Sequence, residues 1–267
     1  MPARITVSIV VPALNEAGNL PRTLAAARRV FPAAEVIVVD ANSTDGTAAA
    51  ARSHGARVVH STAGNRAVQM NIGAEHGRGR VLLFLHADTI LPPSAGIRLR
   101  KALADPSVVG GAFARRFDSP SWFLGWTCRL ADIRGKVLGW YLGDQAMFVR
   151  RGVFRRIGGF PELRCLEDLE MSRRMKQAGR TVLLDPPVVS SGRRFGRRGA
   201  VLRTLMDFCI TVRYFMQPDR FAAEKHRAGR DARLSGNAAH ARGREGARRE
   251  KHQKGYTSQC PKSTTTT

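Results

Sequence analysis

Residues 5–40 read ITVSIVVPALNEAGNLPRTLAAARRVFPAAEVIVVD. Ile5 to Leu14 is an apolar, β-branched run ended by Pro12 and Asn15, the signature of a buried strand. Leu20 to Val30 has helical spacing, and Glu35 to Asp40 is a second buried strand. The alternation continues outward. Asn42-Ser43-Thr44-Asp45-Gly46 forms a turn that caps a helix running through Arg52. Ala56 to His60 is a short strand, Ala67 to His76 a helix closed by Gly77, and Arg80 to Leu85 a strand ending in His86-Ala87-Asp88. Strands and helices alternating at this spacing predict parallel βαβ units. The fold class is therefore α/β, an open, doubly wound, mostly parallel sheet flanked by helices, with a Rossmann-like first half.

The pattern changes after about residue 105. Val108 to Phe117 reads as a strand, and Ser119 to Leu142 holds all three tryptophans, Trp122, Trp126 and Trp140. Gln145 to Val149 is strand-like. Glu167 to Gln177 is a helix with acids in its first turn and Gly179 as its stop. Thr181 to Leu184 is another strand, and Val201 to Met216 a helix stopped by Pro218. The expected organisation is a domain over 1–225, with a nucleotide-binding half at 1–105 and an acceptor and catalytic half at 106–225. From 226 to 267 Ala, Arg, Gly and Lys dominate, which predicts a basic, disordered tail.

The chain has 267 residues, 43% hydrophobic and 24% charged, a globular composition. Its 44 Lys and Arg against 21 Asp and Glu give a formal net charge of +23. The segment 226–267 carries ten Lys and Arg against three Asp and Glu, a net of +7, so 1–225 carries the remaining +16. Such a charge attracts phosphorylated small molecules, nucleic acid or anionic lipid. Cys128, Cys165, Cys209 and Cys260 are scattered without a CxxC pair, so the sequence indicates neither a zinc site nor a disulfide framework. The first residues lack a signal-peptide layout and no long uncharged apolar run occurs, so a cytoplasmic protein is expected.

In a doubly wound sheet ligands bind at the carboxyl ends of the strands. Neither GxGxxG nor GxxxxGK[ST] follows the first strand, which argues against a dinucleotide oxidoreductase and a P-loop NTPase. Asp40, ending the second strand, suits a ribose hydroxyl or a base N–H; starting a turn is its other reading. Asp88 is a candidate Mg²⁺ or Mn²⁺ ligand, one carboxylate completed by phosphate oxygens and water. His86 is a second ligand, a phosphate donor or a core residue. Asp144 and Gln145 read as sugar contacts or as a turn. Arg193 and Arg194, in the arginine-rich run 191–198, suit a loop that closes over a diphosphate or a basic surface loop. Glu170 and Arg174 have the spacing of a solvated pair.

Val11-Pro12-Ala13-Leu14-Asn15-Glu16, then Val39 to Thr47 with its Asp40 and Asp45, then the strand-end acid and Leu166-Glu167-Asp168, resemble family-two glycosyltransferases of the GT-A fold over residues 5–225. Arg66 to Ala74, His86-Ala87-Asp88, Gly143-Asp144-Gln145 and Ser191-Gly192-Arg193-Arg194 resemble one subgroup more narrowly. These are the radical-SAM/selenodomain-associated transferases, some assigned to arsenosugar biosynthesis. The resemblance implies that Pro12, Ala13, Glu16, Asp40 and Asp45 line the pocket of a nucleotide sugar, a UDP-sugar, with Arg66 and Gln69 near its ribose or diphosphate. It implies Asp88 as the metal ligand and Asp168, with Glu167 beside it, as the catalytic acid motif, Asp168 being the general base. The family's usual DxD reads His86-Ala87-Asp88, so a histidine stands where the first acid would be.

The expected reaction is inverting transfer of a sugar from a nucleotide-diphosphate donor to the hydroxyl of a small molecule or lipid. Trp122, Phe123, Trp126, Trp140 and Tyr141 beside Arg129, Arg134 and Lys136 suit a membrane interface, a lipid acceptor or core packing. Peripheral contact with the inner face of the cell membrane is therefore expected as one option. A basic nucleic-acid-binding module is the competing class, without an RNA-reading motif or helix-turn-helix signature to support it. A nucleotidyltransferase is the third, lacking its glycine- and arginine-rich loop after the first strand.

Overall fold

The structure is a computed structural model that describes residues 5–163 and 165–195, with side chains through Arg193. Of these, 5–162 and 166–195 belong to one compact unit. The expected helix at 201–216, the side chain of Arg194 and the tail at 226–267 lie outside the described residues.

The first half follows the sequence pattern. β1 (Val7–Ala13), β2 (Glu35–Asp40), β3 (Arg57–His60) and β4 (Val81–Phe84) alternate with α1 (Leu20–Val30), α2 (Thr47–Ser53) and α3 (Arg66–His76). All four strands run parallel, in the order β3-β2-β1-β4. Both faces of β1 are covered, and successive side chains go to opposite layers. Ile9 and Val11 join Leu20, Leu24 and Leu99 on one face, while Val10 joins Met70, Phe84 and Met171 on the other. α3 lies close against the sheet because residue 73 is glycine: a Cβ there would stand 2.3 Å from Val10 Cγ1.

The second half is mixed. β5 (Thr89–Ile90), α4 (Ala95–Leu103), β6 (Val108–Phe117), α5 (Trp122–Leu138), β7 (Phe148–Arg150), α6 (Arg151–Arg156), α7 (Glu167–Ala178) and β8 (Arg180–Ser190) follow in order. They complete an eight-stranded sheet, β3-β2-β1-β4-β7-β6-β8-β5. β7 runs antiparallel to both β4 and β6, and β6 pairs parallel with β8. The residues expected to begin the seventh strand instead form a 3₁₀ turn over Gly143–Gln145, and the strand starts at Phe148. β8 continues six residues beyond Leu184, through Pro186 and Pro187, which have no N–H to give the ladder. The register with β6 shifts between Phe113 and Arg115.

This topology gathers the ends that matter. β1 to β4, β6 and β8 all finish at one rim, and the reversal of β7 brings its leading turn, Gly143–Gln145, to that same rim. No helix among the described residues is long and apolar enough to cross a membrane.

Candidate active site

One side of the rim is built by the loops after β1 and β2, which are tied to each other. Asn15 N–H donates to Ser43 Oγ at 2.9 Å, Glu16 N–H to Thr47 Oγ1 at 2.8 Å, and Ala17 N–H to Asp45 Oδ2 at 3.0 Å. Asp45 also accepts the N–H of Thr47 at 3.0 Å. Against a desolvation that raises it, the Thr47 hydroxyl and the N–H groups of Ala17 and Thr47 hold the Asp45 carboxyl below its ordinary value. Asp45, expected to line the nucleotide pocket, braces the two loops against each other and remains exposed.

Asp40 is different. Its Oδ2 accepts Ser43 N–H at 3.2 Å and lies 3.8 Å from His60 Nδ1. Its Oδ1 is buried and has no hydrogen-bond partner. A buried acceptor left open costs about 1–3 kcal/mol, so it suits a ligand donor that arrives later. Gln69, expected near the ribose or diphosphate, spends its amide N–H groups on the carbonyls of Ala13 and Val39, at 3.0 and 2.8 Å. It fastens the ends of β1 and β2 to each other, because a buried amide must satisfy its donors locally.

The two halves meet at Gly143. Its N–H donates to Asp168 Oδ2 at 2.6 Å. A Cβ on Gly143 would lie 2.8 Å from His86 Nε2 and 3.5 Å from Asp168 Oδ2. The strand-end motif after β4 and the acid motif at the start of α7 are therefore neighbours across Gly143, although about 80 residues of chain separate them. Asp168 Oδ1 accepts the N–H of Leu169 at 2.7 Å, at the positive end of the α7 dipole. Burial nevertheless pushes the Asp168 carboxyl above its ordinary value, against the Gly143 and Leu169 hydrogen bonds. Burial and the Asp168 charge push neighbouring Glu167 up to about 7, with Arg66 opposing. Arg66 Nη1 is 3.9 Å from Glu167 Oε1, so the first residue of α3 reaches across to α7.

Asp88 faces Arg193. The guanidinium Nη2 lies 3.5 Å from Asp88 Oδ2 and also bonds Glu16 Oε1. The end of β8 is delivered there by Ser191 N–H, which donates to the carbonyl of Asp88 at 3.2 Å. Pro12 and Ala13 form the buried end of β1 beside Asp40, with which Ala13 is in register.

Asp144 and Gln145 resolve as turn residues. Gln145 is fully buried; its Oε1 accepts Leu142 N–H at 2.8 Å and its Nε2 donates to the carbonyl of Phe113 at 3.3 Å. Of its two expected readings, a sugar contact or a turn, this burial favours the turn. Asp144 receives two hydrogen bonds from Arg115 Nη1, at 2.6 and 2.7 Å. Arg115 is buried, sits 4.5 Å over the Phe117 ring, and is held ionised by Asp144 against desolvation. The sequence reading passed over Arg115. Its signal was the pair Arg115-Arg116 in a strand, where period-two alternation must turn one arginine inward. Glu170 was expected in a solvated pair, but it is buried and accepts from both Arg173 and Arg174, at 2.7 to 2.9 Å.

This architecture is that of the GT-A glycosyltransferases. Mannosyltransferase PcManGT from Pyrobaculum calidifontis, solved with GDP-Man and Mn²⁺, matches with a TM-score of 0.59 at 26% identity, over 76% of this chain and 61% of that one. S. aureus TarS 1–349 in complex with UDP-GlcNAc matches in fold, with a TM-score of 0.58 at 16% identity over 70% of this chain and 58% of that chain. Residues 8–157, more than half of the chain, match the family model described as Glycosyl transferase family 2. The chain belongs to that family, and is by that membership a transferase. The undecaprenyl-phosphate 4-deoxy-4-formamido-L-arabinose transferase of Sodalis glossinidius (strain morsitans) is 31% identical over 204 residues, which cover 71% of this chain and 61% of the relative. The chain thus spans less than two thirds of that relative's length.

Proposed function

We propose that this protein is an inverting glycosyltransferase that moves a sugar from a nucleotide-diphosphate donor, a UDP-sugar, to the hydroxyl of a lipid or small-molecule acceptor. The observation that carries the reading is the meeting of Asp168 with the His86–Asp88 strand end at Gly143. It supports a donor diphosphate beside Asp88 and an acceptor beside Asp168. The open Oδ1 of Asp40 supports a nucleotide base or ribose at the end of β2.

In this mechanism the acceptor oxygen attacks the anomeric carbon as the bond from that carbon to the diphosphate breaks. The bonding pair leaves with the nucleoside diphosphate, and Asp168 takes the acceptor's proton. Its desolvated, raised carboxylate is a stronger base than an exposed aspartate. Arg66 and Arg193 offset charge gathering on the leaving diphosphate. One displacement inverts the anomeric centre, so no covalent nucleophile is required.

Among the described residues no group of three or more His, Cys, Asp and Glu side chains forms a closed metal cage. A cation at this site would be held by one carboxylate and the donor's own phosphate oxygens. Asp88 would hold Mn²⁺ or Mg²⁺, with His86 as the adjacent donor, and the ion would supply charge neutralisation at the diphosphate. The mannosyltransferase solved with Mn²⁺ supports this choice.

The name of the Sodalis relative, an undecaprenyl-phosphate transferase, supports a lipid as the carrier of the acceptor group. A lipid phosphate would attack through an already ionised oxygen, so the proton transfer to Asp168 belongs to a hydroxyl acceptor. With such an acceptor the protein works in the cytoplasm, peripherally at the inner face of the membrane. Kinship with the radical-SAM/selenodomain-associated transferases belongs to the same proposal and rests on the motifs around Arg66, His86, Gly143 and Arg193. A panel of nucleotide sugars with Mn²⁺ tests the reading through saturable donor binding and slow donor hydrolysis. Failure of both across the panel refutes it.

A further inference from the structure

α5 is a helix with two unlike faces. Leu124, Cys128, Ala131 and Gly135 are buried, and a Cβ on Gly135 would meet Leu183 and Tyr141 at 3.4 Å, so this face is seated on the body of the protein. The opposite face carries Trp122, Trp126, Leu130, Ile133 and Val137, spaced by three and four residues. Their exposures are 81, 53, 45, 59 and 66%. They form a continuous apolar stripe about 25 Å long on a 17-residue helix. Most exposed apolar residues of soluble proteins occur singly, and a contiguous strip calls for a partner.

The chemistry of the strip selects that partner. Exposed Arg129 and Lys136 follow one edge of it, and the helix's single acid, Asp132, has a buried Oδ1. Tryptophans at one end, aliphatic residues along the middle and cations at the margin match the boundary between headgroups and acyl chains of an anionic bilayer. A protein partner recognising the strip would need its own apolar face with acids placed along one edge. Only four residues separate the end of α5 from Gly143, which bonds the candidate base.

We propose that the exposed face of α5 is the membrane-docking surface of this protein, lying in the plane of an anionic lipid leaflet with its C-terminal end directed to the acceptor side of the site. The proposal rests on the reading of a lipid-borne acceptor, and names the surface that would bring the protein to it. Lipid binding and donor binding are separate measurements, so the two can fail separately.

The test is co-sedimentation of the full chain with vesicles of phosphatidylglycerol and phosphatidylethanolamine, against phosphatidylcholine alone, at low and high salt. The wild type should partition onto the anionic vesicles and release partly with salt. Trp122→Ser/Trp126→Ser and Leu130→Gln/Ile133→Gln change exposed side chains only, and circular dichroism should match the wild type. Each pair should lower partitioning at least about tenfold. The basic segment 226–267 is the same in all of these proteins, so its own attraction to anionic lipid cancels from the comparison. Unchanged partitioning of both double variants overturns the proposal. So does a concentration-dependent dimer of the wild type that either pair dissolves, since the strip would then be an interface between two copies. Donor binding that survives in non-partitioning variants shows that the nucleotide site stands apart from the docking surface, as proposed. Loss of donor binding in those folded variants would instead overturn the assignment of α5 to membrane alone.

Discussion

Asp168 Oδ2 accepts the backbone N–H of Gly143 at 2.6 Å, which joins the first turn of α7 to the turn that leads β7. The contact fixes the candidate base from outside its own helix. It also sets the base against His86, whose ring occupies the space a side chain at residue 143 would need.

Asp168→Asn keeps a side-chain oxygen to accept Gly143 N–H but cannot take a proton at neutral pH. Transfer should fall by about 10²–10⁴-fold while donor affinity changes by less than about twofold. Initial rates beside titration of the nucleoside diphosphate check this. A variant with wild-type turnover removes Asp168 from the mechanism.

Gly143→Ala places a methyl group 2.8 Å from His86 Nε2, so the ring must move. Transfer should drop at least about tenfold with little loss of stability, because the displaced group lies at the rim and not in the core. Thermal melts and kinetics on the same preparation separate the two effects.

Glu167 ionises in the folded protein near 7 instead of 4.5. The folded state therefore binds the proton more tightly than the unfolded chain. The resulting stability is fully present below about pH 4.5 and is lost as pH rises through about 7, with a loss of at most about 3 kcal/mol. Glu167→Gln should flatten that pH dependence and melt above the wild type at pH 8. Melting curves from pH 5 to 8 that stay parallel for the two proteins would contradict the assignment.

Arg115→Met leaves Asp144 without its partner in a site from which Arg115 itself is almost fully screened. Breaking such a pair costs about 3–5 kcal/mol, and replacing both members by apolar residues restores much of it. Chemical denaturation of Arg115→Met, Asp144→Leu and the double variant completes the cycle. Additive losses would show that the pair does not act as a unit.

Asp40→Asn retains an acceptor for Ser43 N–H but weakens the attraction for a base or ribose donor. Affinity for the nucleoside diphosphate should fall about tenfold, within the range of a hydrogen bond to a charged group. Calorimetric titration reads it directly.

The first half of this fold is written locally. The apolar runs of β1, β2 and β4 need no distant partner to be recognised, since a strand buried on both faces must be apolar along its length. Asp40 and the His86–Asp88 motif followed from the same reading, because strand ends in a parallel sheet face a common crevice. The second half resisted. Gln145 looked like the start of a strand and proved to be the peg of a turn, since its amide finds its partners at Leu142 and at Phe113, a strand away. Glu170 looked solvated because helical spacing alone cannot tell which side of α7 the body of the protein covers.

By itself, then, the sequence determined the βαβ order, the family and which acids end the strands, because each is a property of neighbouring residues. Only the tertiary structure decided that β7 runs against β4, that Gly143 consequently arrives between His86 and Asp168, and that Arg66 reaches Glu167 while Arg193 reaches Asp88. Those are contacts across tens of residues. They depend on strand direction and register, which the pairing of the whole sheet fixes and no single segment encodes.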